Sequence, residues 1–100
     1  MQTLNFSSKK RKHLKIILSN GEVINVTAPT RLLYKEVSAT DFDNATIDDL
    51  YELTAKLLSR NLENKTFNAA ELEELFDIDD LVILINGYLD FLKEIQSEKN

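Results

Sequence analysis

The chain has 100 residues, which is enough for one domain with a single core and too few for two. Apolar residues make up 43% of the chain and charged residues 29%, a globular composition that excludes an intrinsically disordered chain. The absence of cysteine excludes disulfides and thiolate metal sites, and the longest apolar run, residues 81–85, is too short to cross a membrane.

Charge is distributed unevenly along the chain. Residues 1–40 carry a net charge of +5 and residues 41–100 carry −10, which gives −5 overall. The basic residues concentrate in the run 9–15, and we predict a flexible basic arm over residues 1–12. This arm is either solvated, or contacts an acidic protein, or contacts nucleic-acid phosphates. The acidic remainder of the chain disfavours nucleic acid.

A β-hairpin is predicted over residues 13–27. The first strand is rich in apolar and β-branched residues, and the second alternates between polar and apolar ones. Between them lie Asn20 and Gly21, the pair most favoured in a type I′ turn, because both central residues of that turn need positive φ. Pro29 has no amide hydrogen to donate and therefore ends the second strand. Two strands alone are marginally stable, so we expect the hairpin to pack on helices.

Helix-start signals follow the hairpin. We predict four helices, at about residues 30–38, 46–62, 68–76 and 78–96. Thr46, Asn68 and Asp77 each precede an acidic residue by three positions, a spacing typical of helix N-caps. The expected fold is α+β, with an N-terminal hairpin packed on a small, mainly helical bundle within one domain of residues 13–100.

The last helix has more apolar residues than a surface helix of a small domain needs. Its predicted core stripe is Ile78, Leu81, Val82, Ile85, Leu89, Leu92 and Ile95. A second set of apolar residues lies beside that stripe. Either the hairpin and the helix of residues 46–62 bury this set, or part of it binds another chain. We therefore select Ile83, Leu84, Tyr88 and Phe91 as candidate protein-binding residues. Gly87 is unfavourable in mid-helix and would be explained by close approach of another backbone.

No catalytic constellation is found in the sequence. The only histidine, His13, lies in the basic run without a partner for acid–base or nucleophilic chemistry. Four acids match EF-hand ligand positions: Asp41, Asp43, Asp49 and Glu52. Thr46, however, stands where the sharp turn of that loop requires glycine. We therefore expect a non-enzymatic protein that uses no metal and no cofactor.

The C-terminal third contains two short motifs of a known family. Phe67, Glu71 and Leu72 fit a Phe-Thr-x-x-Glu-Leu helix, with asparagine in place of threonine, and Asp77 and Leu81 fit an Asp-x-x-x-Leu helix start. Together with the preceding hairpin and helices, these motifs resemble tail assembly chaperones of long-tailed bacteriophages, chiefly those of Gram-positive hosts. The resemblance covers about residues 14–96.

The resemblance implies a function in binding. Such a chaperone binds the tape measure protein and keeps it soluble until the tail tube assembles around it, with the tail tube protein as a second partner. It implies a cytoplasmic protein, in the host cell if phage-encoded, and leaves self-association open. The alternative is a small nucleic-acid-binding or regulatory adaptor that acts through residues 9–15.

Overall fold

The computed structural model describes residues 2–6 and 10–97, so Met1 and residues 7–9 of the predicted arm and the last three residues of the predicted domain lie outside it. The elements are β1 (His13–Ile17), β2 (Val23–Thr27), α1 (Arg31–Ala39), α2 (Ile47–Leu58), α3 (Ala69–Leu75) and α4 (Ile78–Ser97). An N-terminal antiparallel hairpin followed by four helices confirms the predicted α+β class.

The two strands of the hairpin present one face to the core. In the observed register Leu14 lies opposite Val26, and Ile16 lies opposite Ile24. Ile24 and Val26 are fully buried. Because side chains alternate between the two faces of a strand, the neighbouring residues of β1 point to solvent, and Ile17 is 67% exposed.

The turn of the hairpin differs from the predicted type I′. Gly21 has a φ of +88°, whereas Asn20 is not in the positive-φ region. The amide of Gly21 donates to the Leu18 carbonyl, and the amide of Leu18 donates to the Glu22 carbonyl, both at 2.8 Å. This is the pattern of a three-residue loop with a G1 bulge. Asn20 stabilises that loop through its side chain, because its Oδ1 accepts a hydrogen bond from the Glu22 amide at 3.0 Å.

Helix α2 ends four residues earlier than predicted, at Leu58. The segment after it pairs with the edge of β2 that faces away from β1. The Thr27 amide donates to the Arg60 carbonyl at 2.8 Å, and the Leu62 amide donates to the Asn25 carbonyl at 2.9 Å. Backbone groups at a buried strand edge need partners, and residues 60–62 supply them only by leaving the helix.

The predicted helix starts are confirmed by their hydrogen bonds. Asn68 Oδ1 accepts from the Glu71 amide at 2.9 Å, and Glu71 Oε1 accepts from the Asn68 amide at 3.3 Å. Asp77 and Asp80 form the same reciprocal pair at 2.8 and 3.2 Å. Thr46 Oγ1 accepts one bond, from the amide three residues later, at 3.1 Å. These side chains satisfy amides that a helix leaves unpaired at its N-terminus.

The core lies between the hairpin and the helices, with α2 at its centre. Helix α2 contacts each of the other three helices. The most completely buried large side chains come from both the strands and the helices: Ile24, Val26, Leu58, Leu72 and Leu81. Tyr51 of α2 donates its hydroxyl hydrogen to the Phe76 carbonyl at 2.6 Å, which fixes α2 against the junction between α3 and α4.

Candidate protein-binding surface

Two of the four predicted binding residues are buried. Tyr88 is 2% exposed and Phe91 is 6% exposed, and their rings contact each other edge to face with centroids 6.1 Å apart. Tyr88 and Phe91 therefore belong to the core, which is the first of the two alternatives that the sequence leaves open for this set. The apolar arc of α4 is wide enough for either side of the helix to face inward, and the packed helix turns this side toward the core.

The other two predicted residues lie near the surface at the start of α4. Ile83 is 63% exposed, and Leu84 is partly buried against the core. Ile78 and Val82, which the sequence places in the core stripe, are 56% and 48% exposed. Residues four apart on a helix are neighbours, so Ile78 and Val82 share one row and Ile83 lies in the next row on the outward side. We call Ile78, Val82 and Ile83 the α4 outer patch.

A shallow cleft separates the turn end of the hairpin from the start of α4. Its volume is about 270 Å³, and it is lined by Ile16, Ile17, Ser19, Phe76, Asp80, Ile83 and Leu84. The Ser19 hydroxyl donates to the Leu75 carbonyl at 3.1 Å, which holds the turn against the end of α3. Because Ile83 belongs to both features, this hairpin–α4 cleft continues into the α4 outer patch.

The surroundings of these apolar residues are strongly acidic. Residues 66–92 contain seven Asp or Glu and no Lys or Arg. Asp79 and Asp80 lie in the first turn of α4, where the helix dipole stabilises negative charge. The arrangement is therefore an apolar surface within a negative field, which favours a partner that combines apolar and basic side chains.

The predicted basic arm is described over residues 2–6 and 10–12. An Arg11 Nη2 hydrogen bond to the Phe6 carbonyl, 3.1 Å long, connects the two described parts of the arm. Lys10, Arg11 and Lys12 are exposed. Together with Ala28 and Ile95 they line a second cleft, of about 280 Å³.

The acidic residues that resemble an EF-hand stabilise a turn. The Asp41 carboxylate accepts hydrogen bonds from the Asn44 side-chain amide at 2.7 Å and from the Asp43 amide at 3.1 Å. These bonds stabilise the charged carboxylate and hold the pKa of Asp41 below its ordinary value. Across residues 2–6 and 10–97, no group of three or more His, Cys, Asp or Glu is arranged to hold a metal ion.

Sequence reasoning missed three exposed apolar residues of the candidate surface: Ile17, Ile78 and Val82. A signal for Ile17 exists, because strand alternation places it on the face opposite Leu14 and Ile16. No comparable signal exists for Ile78 and Val82, since they fit the period of the buried stripe.

None of the helices described by the structure is both long enough and apolar enough to cross a membrane. No family model matches the chain, and no curated protein and no solved structure matches it at a significant level.

Proposed function

We propose that this chain is a phage tail assembly chaperone that acts in the host cytoplasm without catalysis. In this proposal it binds apolar helical segments of the tape measure protein and keeps that protein soluble. The observation that supports the proposal is the α4 outer patch, continuous with the hairpin–α4 cleft, within an acidic surface. An exposed apolar patch with a polar rim is typical of a surface that binds another protein.

The exposed residues set the strength of binding that we expect. Completely burying an exposed isoleucine or valine side chain contributes roughly 1.5–3 kcal/mol. Ile17, Ile78, Val82 and Ile83 are each about half to two-thirds exposed, so a partner buries only part of this area anew. Because association also costs translational and rotational freedom, one copy binds weakly. Many copies along one long partner then shield it together, and each can be released as the tube assembles.

The acidic rim sets the expected preference among partner helices. A helix that carries Lys or Arg beside its apolar residues gains favourable interactions with Asp79 and Asp80, whereas an acidic helix is repelled. Binding therefore weakens as salt rises, because both aspartates are accessible to solvent. The tail tube protein is the second proposed partner, and its co-purification with this chain tests that part of the proposal.

The test is co-expression of this chain with the tape measure protein of the same phage. We expect the wild-type chain to raise the soluble fraction of that partner and to co-purify with it. The double variant Val82→Asp, Ile83→Asp loses both effects, because it places charge in the apolar surface. Leu32→Asp is the matched control: Leu32 is 80% exposed and lies on α1, so this variant retains both effects.

Two outcomes contradict the proposal. One is a tape measure protein that is equally soluble without this chain and does not co-purify with it. The other is equal binding by the double variant and by the Leu32→Asp control, with all variants shown to be folded by circular dichroism. The second outcome moves the binding surface elsewhere on the chain and leaves the chaperone function open to a new test.

A further inference from the structure

A polar cleft lies at the opposite end of the hairpin from the surface described above. It has a volume of about 460 Å³, and the side chains of Arg11 and Arg60 form part of its wall. None of its lining residues is acidic, although the chain contains 17 Asp or Glu. We call it the arginine cleft. Thr27 at its edge belongs to the end of β2 away from the turn, and β2 is five residues long, so the two surfaces are separated by roughly 13 Å of strand.

Arg60 is held in place from both its backbone and its side chain. Its carbonyl accepts the Thr27 amide at 2.8 Å, and its Nε donates to the Ala28 carbonyl at 3.0 Å. The terminal Nη groups make no hydrogen bond and no ion pair within residues 2–6 and 10–97. A partly buried guanidinium with a fixed orientation and free terminal donors is pre-organised to bind an anion.

The nearest acid in the sequence does not neutralise Arg60. The carboxylate of Glu63 accepts the Asn25 backbone amide at 2.8 Å and the Asn25 side-chain amide at 2.7 Å. These hydrogen bonds stabilise the charged form and hold the pKa of Glu63 below its ordinary value. Glu63 is therefore committed to the edge of β2, and no acidic side chain among the described lining residues compensates the positive charge of the cleft.

We propose that the arginine cleft binds the phosphate group of a small ligand between Arg60 and Arg11. A guanidinium donates two parallel hydrogen bonds to a phosphate, and two guanidinium groups match the charge of about −1.5 to −2 that a phosphate monoester carries at pH 7. Nucleic acid fits less well, because no aromatic side chain lines the cleft for base stacking and residues 41–100 carry a net charge of −10. This site is independent of the proposed chaperone surface.

The test is an NMR titration of the full chain with inorganic phosphate and with phenyl phosphate, at constant ionic strength maintained with sodium chloride. We expect saturable shifts of the Arg60 Nε–H signal and of the Asn64 amide, because both residues line the cleft. Arg60→Gln weakens binding by about tenfold or more, since it removes the charge and the paired donors. Saturation by phenyl phosphate alone identifies an ester, and saturation by both identifies the phosphate group itself.

Two further variants keep the result independent of folding. Arg11→Gln changes an exposed side chain, so it leaves the fold intact and still weakens binding. Lys35→Gln on α1 removes the same charge away from the cleft and leaves binding unchanged. Shifts that do not saturate above the chloride background overturn the proposal, and so does equal binding by wild type, Arg11→Gln and Arg60→Gln. Binding of single-stranded oligothymidylate that needs residues 1–12 but not Arg60 also overturns it and supports the nucleic-acid alternative.

Discussion

The inward face of α4 and the start of its outward face both carry large apolar side chains, but their environments differ. The inward face contains Leu81, Ile85, Tyr88 and Leu92, none more than 8% exposed. The outward face begins with Ile78, Val82 and Ile83, which are 48–63% exposed. Over residues 78–85 both faces carry large apolar side chains, so hydrophobicity alone does not distinguish them there. Contact with α2 and the rest of the core buries the inward face, whereas the start of the outward face remains largely accessible to solvent.

This difference separates stability from binding within one helix. The inward face stabilises the fold, because each of its side chains leaves water when the chain folds. The outward face contributes little to folding, so its apolar character is unexplained by the stability of this chain alone. Substitutions on the two faces should therefore affect different measurements.

The largest expected effect is the difference in the free energy of unfolding between a truncation on the inward face and one on the outward face. Leu81→Ala creates a cavity at a completely buried position and should lower the free energy of unfolding by about 2–5 kcal/mol. Val82→Ala, at its exposed neighbour, should change it by less than about 1 kcal/mol. Urea unfolding monitored by circular dichroism measures both. Equal losses that grow with protein concentration would instead show that a second copy of the chain covers the outward face.

The second effect is a loss of stability at high pH that originates on the inward face. Burial raises the pKa of Tyr88 above its ordinary value of about 10. The unfolded chain therefore releases the Tyr88 proton at a lower pH than the folded chain does. The stabilisation is complete below about pH 10, and above it stability falls by at most about 1.4 kcal/mol per pH unit for this group.

The free energy of unfolding measured from pH 9 to pH 11.5 tests this prediction. Tyr88→Phe should show a shallower decrease than the wild type over that range. An identical decrease in the two proteins would assign the alkaline transition to other groups.

The third effect concerns the hydroxyl group of Tyr88. Its oxygen is buried and has no hydrogen-bond partner in the described part of the chain. Tyr88→Phe should therefore raise the free energy of unfolding at neutral pH by about 1 kcal/mol, because a buried hydroxyl without a partner carries a desolvation cost. Tyr51→Phe is the matched control and should lower it by about 1 kcal/mol, because the Tyr51 hydroxyl donates to the Phe76 carbonyl. Losses of equal size in both variants would contradict the prediction.

The smallest effect is expected on the outward face, at Gly87. The interpretation that another backbone approaches Gly87 is wrong, because an added Cβ would have no atom within 4 Å. Gly87→Ala should therefore stabilise the chain by about 0.5–1 kcal/mol through its helix propensity. A thermal unfolding scan measures the increase. A decrease in stability, or a loss of partner binding, would show that this side of α4 is covered in solution.

Local chemistry was sufficient to predict the elements of the fold. Asn68 and Asp77 mark helix starts because their side chains accept the amides that any helix leaves free at that end. The strands of the hairpin follow from alternation and from Gly21, which supplies the one positive φ that its loop requires. These signals depend on residues within a few positions of one another, so one sequence reveals them.

The candidate surface could be predicted only in part. Of the four candidate residues, Ile83 is exposed and Leu84 is partly buried. The other two, Tyr88 and Phe91, are core residues. Whether this surface binds a partner is tested by the co-expression experiment with the double variant Val82→Asp, Ile83→Asp. The reason for the divided outcome is that an apolar arc wider than the core needs is compatible with several rotations of the helix.

The set of elements, their starts and the acidic character of the C-terminal half therefore follow from the order of residues along the chain. The rotation of α4, the early end of α2 and the orientation of Arg60 are settled only when the chain is folded. Each of these depends on contacts between residues distant in sequence, such as the bonds from residues 60–62 to the edge of β2. A local pattern fixes which backbone groups and apolar side chains need partners, and only the folded chain decides which partners they find.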